Sequence, residues 1–166
     1  MYEDYIITKS AVTEYAVDTS GNPTGDGTEV TIDANGVYNI TKQHVTVEGY
    51  INGAISIPST LSDVTIVLSG CYIQNNGSSV PTIHYAASSS KLKLCSLANS
   101  INVIENTVIG DNTLVDTDAV KSENNISIEV KNDSTLFITS ANADGLDGGD
   151  IKVTDSKGVL MCVNCG

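Results

Sequence analysis

The chain contains no arginine and no tryptophan, and only 5% of its 166 residues are aromatic. Its eight cationic residues are all lysine and stand against twenty acids, for a formal charge of −12. That balance disfavours nucleic-acid binding, which needs a cationic face to neutralise phosphates. It also removes the planar guanidinium fork that grips carboxylate or phosphate at two points. With no indole, a tryptophan platform for sugar rings is excluded. No apolar run approaches the roughly 20 residues that cross a bilayer as a helix. The start, MYEDYIITKS, is acidic where a secretory leader is basic and then apolar. Helical periodicity is close to absent as well.

What is present is a vocabulary of Asn, Ser, Thr, Asp, Gly, Val and Ile, which suits strands and turns. Apolar residues recur at every second position in Val64-Thr-Ile-Val-Leu68, Leu92-Lys-Leu94, Ile126-Ser-Ile-Glu-Val130, Leu136-Phe-Ile138 and Ile151-Lys-Val153. These segments are short and separated by Gly, Asn, Asp and Ser, so the chain reads as all-β. Its length suits one domain with a sizeable core.

Self-similarity decides between sandwich and solenoid. Asp118–Val130 over Asp144–Val153 both read as a short strand, a polar corner and an alternating strand, and Thr82–Leu94 has the same form. A third strand follows each: Cys71-Tyr-Ile73, Ile101-Asn-Val-Ile104, Leu136-Phe-Ile138 and Val159-Leu-Met161. The equivalent positions Val64, Leu92, Ile126 and Ile151 are 28, 34 and 25 residues apart. Three short strands per repeat of that length are what a parallel β-helix requires, because each coil presents one row of inward apolar side chains to the next. The longer middle spacing is assigned to an inserted loop over 106–117.

Residues 1–30 lack this pattern and are read as an N-terminal arm and linker, with the β-helix domain at 31–166. The arm either caps the first coil or extends away to pair with something else; a solenoid must cover its ends. At the other end, no cap is expected after the last core strand.

Thr28–Leu160 resembles a family of secreted bacterial carbohydrate-binding-domain proteins, parallel β-helices related in architecture to pectate lyases. The resemblance lies in Gly36-Val-Tyr-Asn-Ile-Thr41, Gly53-Ala-Ile-Ser-Ile57, Val64–Leu68 with Cys71-Tyr-Ile73, Asp118-Ala-Val-Lys-Ser122 and Asp144-Gly-Leu-Asp-Gly-Gly-Asp-Ile151. It implies an all-β, right-handed, single-stranded parallel β-helix of about four to five coils with an N-terminal arm. It also implies polysaccharide binding with calcium on the β-helix.

Asp116, Asp118 and Glu123 in one coil, and Asp144, Asp147, Asp150 and Asp155 in the next, stack if the coils are in register, since adjacent strands lie about 4.8 Å apart. Stacked carboxylates repel unless a cation bridges them, and oxygen ligands without His or Cys favour calcium. Asp116, Asp118, Asp144, Asp147 and Asp150 are therefore the metal candidates; the alternative is that these residues simply cap turns. Tyr72, Tyr85 and Lys121 are the candidate sugar contacts, with packing against neighbouring strands as the alternative for the tyrosines. Elimination chemistry on a uronate needs a base, here Lys121 or Lys152, but neighbouring carboxylates hold a lysine charged. A salt-bridged ladder is the better reading of these lysines, and no enzymatic activity is expected.

Cys162-Val-Asn-Cys165 lacks the two further ligands of a zinc site and the helix start of a redox motif. Disulfides are expected instead: Cys71 with Cys95, one coil apart, and Cys162 with Cys165 or with a neighbouring subunit; buried free thiols are the alternative. Sequons at Asn39, Asn76, Asn125 and Asn132 are either glycosylated or chance products of this composition.

The function expected from all this is non-catalytic binding of a polysaccharide or cell-surface glycan, acidic and assisted by calcium, in an extracellular setting. The rival is a structural subunit that stacks head to tail into a filament by N-terminal strand addition. No nucleic-acid partner and no membrane span are expected.

Overall fold

The computed structural model describes residues 9–109 and 116–164. Among these the chain forms strands and no helix. The N-terminal strands are β1 (Ala11–Val17), β2 (Pro23–Glu29), β3 (Val37–Asn39), β4 (His44–Asn52), β5 (Ala54–Ile57) and β6 (Val64–Asn75). β7 (Ile83–Tyr85), β8 (Leu92–Ser96), β9 (Ile101–Asn106), β10 (Val120–Ser122) and β11 (Ile126–Val130) follow. β12 (Thr135–Ser140), β13 (Leu146–Asp147), β14 (Ile151–Val153) and β15 (Val159–Cys162) complete the set.

These strands line up in three parallel stacks. The first runs β4, β6, β8, β11, β14; the second takes the later halves of β4 and β6 and continues β9, β12, β15; the third runs β3, β5, β7, β10, β13. Val64 pairs with Leu92, Leu92 with Ile126 and Ile126 with Ile151, the repeat positions read from the sequence. An all-β chain with parallel sheets built this way is compatible with a solenoid.

Alternation explains the core. In β11 Ile126, Ile128 and Val130 are buried while Ser127 and Glu129 are half-buried, and β4, β6 and β8 repeat the pattern. The inward Ile, Val and Leu form one continuous cluster, and each fully buried aliphatic side chain stabilises the fold by about 1.5–3 kcal/mol.

The bend from the first stack to the second is made in two ways. In β4 and β6 the strand runs straight through, with Gly49 at φ +68° and Gly70 at φ +67° beside a bulge between Val47 and Gly49. A Cβ on Gly49 would lie 2.7 Å from the Lys9 carbonyl, so no other residue fits. In later repeats a short loop makes the turn, and Asn99, Asp133 and Asp155 there adopt φ of 59°, 55° and 45°. Asn and Asp tolerate that region better than other side chains, so Asp155 serves as a corner. At this bend the buried Asn102 is satisfied: its amide donates to Ser96 and Ser100 Oγ at 2.7 and 2.8 Å, and its oxygen accepts the Cys71 N–H at 2.9 Å.

Within the N-terminal segment, residues 11–29 lie against the edge of the first stack. β1 pairs antiparallel with β4, from Ala11 opposite Glu48 to Tyr15 opposite His44, and β2 pairs antiparallel with β1. Glu14, only 6% exposed, fastens it by accepting the Thr41 hydroxyl at 2.6 Å and the Thr41 and Lys42 amides at 2.8 and 3.1 Å. β2 is exposed along its whole length and carries Pro23, Gly25, Asp26 and Gly27, a composition that blunts a sheet edge.

Two expectations are corrected. Cys71 and Cys95 are free thiols. Cys71 packs into the apolar core, whereas Cys95 follows Lys93 on the opposite side of its strand, 4.0 Å from Glu129 Oε2. Side chains on opposite sides of a sheet cannot bridge. Tyr85 is not a surface residue: it is 0% exposed, and its hydroxyl donates to the Leu61 carbonyl at 2.6 Å. Cys165 and part of the inserted loop, 110–115, lie outside the described residues.

Candidate functional site

The outward side of the second stack carries one row that is apolar from end to end. Tyr50 pairs with Tyr72, Tyr72 with Val103, Val103 with Phe137 and Phe137 with Met161. Strand alternation forces this, because Ile51, Ile73, Ile104 and Ile138 next to them point into the core. Tyr50 is 49%, Phe137 37% and Met161 49% exposed. The Tyr50 and Tyr72 rings sit 5.5 Å apart at 43°. A parallel row beside it holds Ile101, Thr135 and Val159.

On the other flank stands a row of hydrogen-bonding groups, Asn52, Gln74, Glu105 and Thr139. The Tyr50 hydroxyl donates to Gln74 Oε1 at 2.7 Å, and the Tyr72 hydroxyl donates to Glu105 Oε2. Gln74 Nε2 reaches both the Tyr72 oxygen and Glu105 Oε2 at 3.3 Å. The Glu105 hydrogen bond, with burial and the nearby charge adding to it, pushes the Tyr72 phenol up to about 12. The two rings are thereby held by their polar ends, with Tyr50 exposed and Tyr72 half-buried.

The third stack shows a different surface. Asn39, Ser56, His84, Lys121 and Asp147 are neighbours in register. Lys121 Nζ lies 2.8 Å from Asp116, 3.1 Å from Asp147 and 3.9 Å from Asp118, and His84 Nε2 lies 3.1 Å from Glu123. Asp118 is 6% exposed and accepts the Asp144 amide at 2.9 Å. Burial, then the hydrogen bond to Asp116 and the charges of Asp116 and Asp147, push its carboxyl up to about 7. Burial also opposes ionisation of Asp116, but hydrogen bonds from Asp118 and Lys121 outweigh it and hold that carboxyl below the usual range. The hydrogen bond to Asp116, more than any other contact, holds Lys121 charged.

Of the five metal candidates, three come together, but around a lysine. Asp116, Asp118 and Asp147 surround a lysine, Asp144 offers its backbone to Asp118, and Asp150 N–H donates to Asn125 Oδ1 at 2.9 Å. Among the described residues no three His, Cys, Asp or Glu side chains are grouped to hold a metal ion. Lys121 is occupied by carboxylates, and of the three sugar candidates only Tyr72 lies in the apolar row. Asn39, Asn76 and Asn132 are exposed and Asn125 half-buried; Asn39 Nδ2 donates to Asp33 at 2.8 Å.

Tyr50, Phe137, Met161, Gln74 and Glu105 were not singled out from the sequence, yet a signal exists. Gly49-Tyr-Ile-Asn52, Cys71-Tyr-Ile-Gln74, Asn102-Val-Ile-Glu105, Leu136-Phe-Ile-Thr139 and Leu160-Met-Cys-Val163 align without gaps. No protein family, curated protein or solved structure matches the chain.

Proposed function

We propose that the protein is a non-catalytic, extracellular carbohydrate-binding module, and that its three strand stacks are the faces of a right-handed parallel β-helix of about four to five coils. The observation that carries this is the in-register row Tyr50–Tyr72–Val103–Phe137–Met161 beside Asn52–Gln74–Glu105. A pyranose ring has apolar C–H faces and hydroxyl edges. A flat apolar strip with amide and carboxylate groups along one side suits both, and tyrosine offers an apolar body with a polar tip. The strip runs across the strands, so a sugar chain laid along it meets a new side chain at every repeat.

A neutral glycan fits this strip better than an acidic one. Glu105 borders it and the chain carries −12, so a uronate chain would bring like charge against like charge. Calcium is not needed by this reading, because Lys121 already supplies counter-charge to Asp116 and Asp147. The same contacts keep Lys121 protonated and unsuited to act as a base. The low lysine content and the exposed sequons at Asn39 and Asn132 support an extracellular setting.

Affinity electrophoresis in gels containing hydroxyethyl cellulose, xylan or pectin tests the proposal. Retardation is expected in a neutral gel, weakened by Tyr50→Ala and Phe137→Ala; no retardation in any gel would overturn it. The filament reading has less support, since the segment it would donate already pairs with β4 through β1. Monodisperse particles at high concentration under negative stain are expected.

A further inference from the structure

At the bend between the second and third stacks the chain leaves a cleft of about 320 Å³. Three Asn-Gly steps line it: Asn35-Gly36, Asn52-Gly53 and Asn76-Gly77. None of the lining side chains is charged. The side-chain amides of Asn35, Asn52 and Asn76 make no hydrogen bond within the described residues. Their neighbours are tightly held: Asn75 Nδ2 donates to the Ser78 and Val80 carbonyls at 2.8 and 2.9 Å, and Ser78 Oγ donates to the Asn35 carbonyl at 2.6 Å.

Two of these glycines allow the close backbone packing of the cleft wall. Gly53 has φ +153°, and a Cβ there would lie 2.8 Å from the Gly36 carbonyl; Gly36 has φ +77°. Backbone thus packs closely along part of this wall, and the three amides without a partner among the described residues line the cleft. Each amide brings two donors and one acceptor oxygen without charge. That set matches hydroxyl groups, which both donate and accept, and offers no counter-charge to an anion or a cation. The volume is at the low end of ligand sites, about 300–1,000 Å³, which fits a short saccharide and not a long chain.

The cleft adjoins the apolar strip. Asn52 lines it and also pairs with Gln74 in the polar row, and Gly53 N–H donates to the Gln74 carbonyl at 2.9 Å. We infer that this amide cleft is a second subsite that takes the terminal one or two residues of a neutral glycan whose chain lies on the Tyr50–Met161 strip. The inference rests on the carbohydrate-binding reading of that strip and adds a chain-end preference to it.

Calorimetric titration of the full chain with cellobiose, xylobiose, maltose and digalacturonate tests it, alongside the gel assay with the polymers. At least one neutral disaccharide is expected to bind and digalacturonate is not. Asn35→Ala and Asn76→Ala, both at exposed positions, should each weaken that binding about 5- to 10-fold through loss of one hydrogen bond while leaving the melting temperature unchanged. Polymer retardation that persists with no disaccharide binding, or with binding indifferent to both variants, overturns the cleft and leaves the strip standing. Absence of both polymer and disaccharide binding overturns the two together.

Discussion

Asp118 accepts the backbone N–H of Asp144 at 2.9 Å across neighbouring strand rows while its own carboxyl sits 6% exposed beside Asp116. A carboxylate that ties two repeats together is thus also the one that burial keeps protonated to about pH 7.

The folded chain therefore retains a proton on Asp118 that the unfolded chain has released between 3.8 and about 7. Stability attributable to this group falls as pH rises through that window and is flat above it. His44, whose pKa is lowered by burial, acts in the opposite direction nearby, so the comparison is made against Asp118→Asn. Urea midpoints should favour the variant progressively from pH 5 to pH 8, by about 1–3 kcal/mol at the upper end. A difference independent of pH would refute the assignment.

Tyr85→Phe removes the hydroxyl that donates to the Leu61 carbonyl at 2.6 Å and leaves the buried ring in place. A loss of about 1 kcal/mol is expected, against about 3–5 kcal/mol for Tyr85→Ala. Chemical denaturation distinguishes the two, and near-neutral behaviour of both would place the ring outside the core.

Glu14→Ala strips three donors of their acceptor, the Thr41 amide and hydroxyl and the Lys42 amide. The expected cost is about 2–3 kcal/mol, together with faster proteolysis in residues 9–29. An unchanged cleavage pattern would show that β1 is held by other contacts.

Cys71, pushed up to about 12 by burial, and Cys95, raised first by burial and then by Glu129, should resist alkylation at pH 8 in the native state. Both should label in urea without reductant. A peptide pair joined through these two residues would contradict their state as free thiols.

Much of the fold was legible because one arithmetic fact dominates it: Val64, Leu92, Ile126 and Ile151 recur at the length of a repeat and pair in register. Asp118 over Asp144 was likewise aligned as the strands align. The third strands were legible as segments but carried no register, and the structure supplies it by pairing Leu136 with Leu160 and Phe137 with Met161. Which side of a strand a residue occupies depends on that register, so the row holding Phe137 and Met161 stayed hidden. The same parity accounts for the cysteines and for Tyr85, which shares the inward side of β7 with Ile83 while His84 faces out. Of the acidic candidates, Asp116, Asp118 and Asp147 come together around Lys121 Nζ, a pairing that depends on a side chain's reach and not on strand spacing.

The two ways of turning the first bend give the molecule unequal stiffness along its length. Where β4 and β6 run through the bend as single strands, the first two faces are one beam and cannot splay. Beyond them the stacks are joined by loops around Asn99, Asp133 and Asp155. The Tyr50–Tyr72 end of the strip, carried on strands continuous through the bend, is therefore expected to be the stiffer part of the proposed binding surface, and the Phe137–Met161 end the part better able to adjust to a twisted ligand.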